Sequence, residues 1–116
     1  MKQLEREIQT KVTNEAILFN LVPIRINVTG RKGWPDYGYI YKGYICFIEF
    51  KRPGEKPEPL QLHVHGILNK AGTPVFVVDN EDYGITILKE WRRDVDKKLE
   101  RLRQSYSEYS RSGPDV

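Results

Sequence analysis

The sequence predicts an α/β domain with the element order α, β, β, β, α, β and an added C-terminal helix. Three observations carry this. Apolar residues recur at helical spacing near the start (Leu4, Ile8, Val12, Ala16, Phe19) and again from Leu60 to about Lys70. Between these helices two strand-like runs flank the turn Lys42-Gly43. A continuous run, Val75-Phe76-Val77-Val78, follows the second helix, as expected of a strand covered on both sides.

The first helix is expected over Leu4 to about Asn20, with an apolar stripe on one side. On a helical wheel Glu5 falls close to the middle of that stripe and Glu7 well outside it. Pro23 to Val28 alternates β-branched Ile24, Ile26 and Val28 with Arg25 and Asn27, the pattern of a half-buried strand. Thr29-Gly30-Arg31-Lys32-Gly33 is a basic loop with two glycines. After the hairpin, the three prolines of Arg52 to Pro59 forbid regular structure, and the last of them can open the second helix, which Gly72 ends. Asn80 to Gly84 reads as a turn, and Ile85 to Leu88 as a short strand or the approach to a helix. Lys89 to about Tyr106 reads as a charged helix with Trp91, Val95, Leu99 and Leu102 on one side. Residues 1–104 form one domain on this reading, and 105–116, rich in Ser, Tyr, Gly and Pro, a fraying tail.

Chemistry concentrates in the hairpin. Along Ile45 to Lys51 alternate side chains share a face, so Ile45, Phe47, Glu49 and Lys51 point one way and Cys46, Ile48 and Phe50 the other. The run is apolar on both faces until its carboxyl end, where Glu49 and Lys51 appear. A carboxylate there is costly to bury unless it is paired, hydrogen-bonded or bound to a metal. Glu49 and Lys51 alone also suit a structural ion pair. Asp36 adds weight, because it follows Gly33-Trp34-Pro35 and lies about as far before the turn as Glu49 to Lys51 lie after it, the register of a tight hairpin.

The 116 residues carry a net charge of +3, are 30% charged and 39% hydrophobic, and contain one cysteine, Cys46. An intracellular, cytoplasmic setting is expected, with no disulfide within one chain, no membrane span and no secretory signal. Arg25, Arg31, Lys32, Lys42, Lys51, Arg52 and Lys56 outnumber the nearby acids, so the surroundings of the acidic site are cationic and suit a polyanion. His63 and His65 stand two apart on a helix and diverge by about 200°, so they cannot chelate one ion together; both are read as structural or surface groups.

This order, with Pro35-Asp36 and Glu49-Phe50-Lys51, resembles the PD-(D/E)XK nuclease superfamily, and within it the virus-type replication-repair nuclease (VRR-NUC) domain in stand-alone form. The similar stretches are Glu5-Arg6-Glu7-Ile8-Gln9, Arg25-Ile26-Asn27, Gly33-Trp34-Pro35-Asp36, Phe47-Ile48-Glu49-Phe50-Lys51, Leu60-Gln61 and Gly72-Thr73-Pro74-Val75. They cover roughly residues 3–80. The resemblance implies a mixed central sheet flanked by helices, with Asp36 and Glu49 as ligands of Mg²⁺ or Mn²⁺, joined by the Phe50 carbonyl and by Glu5 directly or through water. Lys51 would hold or activate the attacking water, and Gln61 would face the site from the next helix. Glu7 is the alternative to Glu5; the wheel and the Glu-x-x-Ile-Gln spacing favour Glu5. Hard oxygen ligands of this kind suit either cation.

Arg31, Lys32, Arg52 and Lys56 are the expected DNA contacts. The resemblance further implies a structure-selective endonuclease, acting as a homodimer on branched DNA such as a four-way junction, with a viral or mobile-element origin and so a host cytoplasm. A non-catalytic DNA-binding module of the same fold, or a nicking or degradative nuclease, are the alternatives.

Overall fold

The computed structural model describes residues 4–28, 30 and 32–111. Its elements are α1 (Glu5–Leu18), β1 (Val22–Arg25), β2 (Tyr37–Tyr41), β3 (Tyr44–Phe50), α2 (Pro59–Lys70), β4 (Val75–Val78) and α3 (Glu81–Arg111). The sheet order is β1-β2-β3-β4, with β1–β2 and β2–β3 antiparallel and β3–β4 parallel. The expected α/β order with a mixed sheet is therefore what the chain adopts.

The strand alternation sorts the core into two layers. Cys46, Ile48 and Phe50 lie in one cluster with Ile8, Val12 and Ala16 of α1 and Leu88, Trp91 and Val95 of α3. Phe47 packs on the other face with Val64 and Leu68 of α2, bordered by Trp34, Ile45 and Val75. Glu49 and Lys51 belong by parity to this α2 face. The β2–β3 hairpin turns on Lys42 and Gly43, both at positive φ (49° and 84°), the backbone a two-residue type I′ turn requires.

Three boundaries differ from the sequence reading. β1 ends at Arg25, so Ile26 to Val28 lie outside the ladder, although the Ile26 N–H still donates to the Asp36 carbonyl at 2.8 Å. The segment Ile85–Leu88 is helical, because α3 begins at Glu81, where the Asn80 side-chain oxygen accepts the Tyr83 N–H at 2.8 Å. Gly84 suggested a turn but serves close packing: a Cβ there would stand 2.7 Å from Val12 and 2.9 Å from Val78. At the other end α3 runs through Ser105 to Arg111 rather than fraying at 105; residues 105–111 contain no proline or glycine to stop it. Among the described residues no helix is long and apolar enough to cross a membrane.

Candidate active site

Asp36 and Glu49 are brought together by register. The ladder pairs Tyr37 with Ile48, and one further step sets Asp36 opposite Glu49, where facing side chains on one side of an antiparallel pair lie about 5 Å apart. The next step sets Pro35 opposite Phe50. The Lys51 N–H bonds to the Val78 carbonyl on the β4 side at 2.9 Å, so alternation turns the Phe50 carbonyl toward β2. Proline offers it no N–H there.

The loop before Asp36 is held rigidly. Pro35 is fully buried, Trp34 meets Phe47 edge-on with ring centroids 6.2 Å apart, and Gly33 (φ 90°) packs so closely on α2 that a Cβ would fall 2.9 Å from the Leu60 carbonyl. On the far side of the site, the Gly54 N–H bonds to the Asp79 carboxylate at 3.0 Å and ties down the segment after β3.

Glu49 is 2% exposed and Lys51 9%. Burial, first, and then a hydrogen bond and repulsion from Asp36 push the Glu49 carboxyl up to about 9, with Glu5 adding to the repulsion and Lys51 opposing it. At neutral pH Glu49 thus keeps its proton and shares it with Asp36, while its other oxygen, Oε1, has no hydrogen-bond partner. The Lys51 ammonium lies 3.8 Å from Glu55 and acts electrostatically on both Glu49 and Glu5.

Glu5 joins the group from α1. Burial, and then the Asp36 charge, raise its pKa, and it lines with Asp36 a cleft of about 480 Å³ together with Gln9, Arg25, Asn27 and Tyr37. Glu7 is exposed, turned to solvent. Gln61 sits on the first turn of α2, where its amide oxygen accepts the Glu58 N–H at 2.8 Å and closes a capping box. Lys32, Arg52 and Lys56 are exposed, Arg52 close enough to act electrostatically on Glu5, and Arg31 lies outside the described residues. Beyond Gln9, Arg25 and Tyr37 the cleft continues into a second of about 360 Å³, lined also by Arg6, Thr10, Thr13 and Asn14.

The donor set fits a hard divalent cation: two adjacent carboxylates, one holding a proton in place of a positive charge and one oxygen unpartnered, with a main-chain carbonyl beside them. Among the described residues no three His, Cys, Asp or Glu side chains already converge as ligands.

From the sequence alone His65 reads as a structural or surface group with no part in the site. It is 5% exposed, on the α2 face that covers β3, with Nε2 3.6 Å from Glu49 Oε1. Burial, and then the Lys51 charge, lower its pKa, so it is neutral beside a neutral Glu49 and the contact is no ion pair. The signal was available: His65 lies one helical turn after Gln61, on the same side of α2. His63 is exposed.

No family model matches the chain. A curated protein described as "Putative nuclease p44", from Acyrthosiphon pisum secondary endosymbiont phage 1, is 35% identical over 79 residues, covering 67% of this chain and 85% of that protein. A solved structure described as a VRR_NUC domain superposes with a TM-score of 0.68 at 29% identity, over 73% of this chain and 94% of that one.

Proposed function

The chain belongs to the virus-type replication-repair nuclease (VRR-NUC) family, and from that premise we propose that it is a divalent-metal-dependent, structure-selective DNA endonuclease. The observation that carries this reading is the Asp36–Glu49 carboxyl pair, with Glu49 buried, one of its oxygens partnerless and the Lys51 ammonium nearby. Such a pair is expensive to bury and contributes nothing evident to packing, whereas a phosphodiester hydrolase needs it.

Asp36, Glu49 and the Phe50 carbonyl would hold Mg²⁺ or Mn²⁺, with Glu5 through water; when bound, the ion supplies charge that polarises the scissile phosphate and lowers the pKa of water. Lys51 would orient the attacking water and offset negative charge that develops on the phosphate. Gln61, on the adjoining turn of α2, would help hold that water. The substrate backbone would follow the cations: Lys32, Arg52 and Lys56, with Arg31 of the same basic loop, and Arg25 and Arg6 along the cleft that leads away from Asp36.

One site cuts one strand. Cutting two opposed strands of a junction calls for two subunits related by a twofold axis, and we read the protein as a homodimer acting on branched DNA. Labelled four-way junction, flap, duplex and single strand, each assayed with Mg²⁺, Mn²⁺ and chelator, test this. Metal-dependent cleavage strongest on the junction is the expected outcome. Salt-sensitive binding without cleavage would instead make the chain a binding module, and preferential cutting of plain duplex or single strand would make it a nicking or degradative enzyme.

A further inference from the structure

Among the described residues, the buried side-chain nitrogen and oxygen atoms without a hydrogen-bond partner are Glu49 Oε1, His65 Nε2 and Arg92 Nε. Two of these three face each other across 3.6 Å. Unpartnered buried polar atoms each cost about 1–3 kcal/mol, so two of them meeting in one place calls for an account.

We propose that His65 is a positioning residue for Glu49: its imidazole, held by α2 against the end of β3, fixes the Oε1 side of the carboxyl group so that the other oxygen stays beside Asp36. The proposal rests on the reading of Asp36 and Glu49 as ligand carboxylates.

The packing supports it. Val64 and Leu68, the neighbouring buried positions of α2, are apolar and fill the space over Phe47. At His65 the same helix presents an imidazole where a leucine would pack without bringing a polar atom of its own into the core. The helix has no freedom to move it away, because Gly33 lies against Leu60 and Val64 and the Glu58–Gln61 capping box fixes the first turn. Closing 3.6 Å to a hydrogen bond of about 2.9 Å takes a small rotation of the Glu49 carboxyl, which the short side chain allows. A neutral imidazole protonated on Nε2 donates to a carboxylate oxygen, and partners of this kind behind a ligand carboxylate are worth about 10–100-fold in metal affinity.

The test compares His65→Leu, which keeps the volume and removes the donor, with His65→Gln, which restores one. Thermal unfolding reports the fold, and calorimetric titration with Mn²⁺, without DNA, reports the ligand site. The Leu variant is expected to melt at or above the wild-type temperature and to bind Mn²⁺ about 10-fold or more weakly, with Gln recovering most of the loss. Mn²⁺ binding by the Leu variant within twofold of wild type would overturn the proposal and leave His65 a space-filler. A second measurement needs no metal. In the ¹⁵N-edited imidazole spectrum His65 should carry its proton on Nε2, protected from exchange, and Glu49→Ala should remove the protection; an unprotonated Nε2, or a signal indifferent to Glu49→Ala, overturns the contact itself. Failure of the wild type to bind Mn²⁺ would sink the metal reading, and the spectrum would still decide His65.

Discussion

Lys51 is separable from the fold in a way most buried charges are not. Lys51 neighbours Glu55, an exposed residue, so Lys51→Ala should fold and should bind DNA within a few-fold of wild type, while cleavage falls by at least about 100-fold. Asp36→Asn should likewise lose metal-dependent cleavage; normal turnover by either variant, in a preparation free of contaminating nuclease, refutes the assignment. Glu49 makes a prediction about stability. Its folded-state pKa is raised, so below about 4.5 both folded and unfolded chains hold the proton and there is no penalty. As pH rises above that, the unfolded chain releases the proton while the folded one retains it, and metal-free stability falls into the alkaline range. Glu49→Gln removes this dependence and should be more stable than the metal-free wild type at pH 8 by about 2 kcal/mol, the advantage shrinking toward pH 5. Equal melting temperatures across that range would show that Glu49 is not held protonated. Asp36, Glu49 and Lys51 were legible because a strand's parity and a two-residue turn fix where side chains point. The contact of His65 with Glu49 was not legible because the two are sixteen positions apart in sequence, and only the packing of α2 on β3 joins them.

At the level of elements, what the sequence could not show was which glycine ends a segment and which admits a neighbour. Gly43 and Gly72 act as turn residues at positive φ, whereas Gly84 sits inside α3 with no special backbone angle and lets the helix lie on Val12 and Val78. This is why Ile85–Leu88 looked separable from the helix that follows. Gly84→Val should therefore destabilise the domain by about 1–3 kcal/mol by forcing α3 from α1 and β4, despite valine having the better helix propensity. Gly33→Ala should act differently. It lies next to Asp36 at φ 90°, and its added methyl would press on Leu60 and Val64 of α2, so both the melting temperature and cleavage should drop. A melting temperature unchanged by Gly84→Val, measured with the far-ultraviolet helix signal intact, would contradict the packing account. The hairpin tip needs no such closeness: Tyr41 and Lys42 both bond to Asp96 of α3, at 3.0 and 2.9 Å, an anchoring between elements that no local pattern in the sequence announces.

The whole molecule measures 67 × 31 × 22 Å, and the long dimension reflects α3, whose 31 residues span about 46 Å at 1.5 Å per residue. Its first half belongs to the core, with Leu88, Trp91 and Val95 buried. Its second half continues the apolar seam at alternating spacings of four and three, Val95, Leu99, Leu102, Tyr106 and Tyr109, yet Leu102 is 59% exposed, Tyr106 72% and Tyr109 71%. A seam with heptad spacing that passes from buried to bare along one helix is the pattern of a two-helix contact lacking its second helix. A second copy of α3 would match it residue for residue, so the homodimer proposed above would pair along this seam. Leu102→Glu with Tyr106→Glu puts charges into that seam without touching the core, so the monomer fold should persist by circular dichroism while light scattering reports half the wild-type mass. Cleavage by the variant should change in kind rather than vanish: each monomer keeps Asp36, Glu49 and Lys51, so paired cuts across a junction should give way to single uncoordinated nicks. A wild-type protein that scatters as a monomer, or a variant that remains dimeric and makes paired cuts, would remove α3 from the assembly.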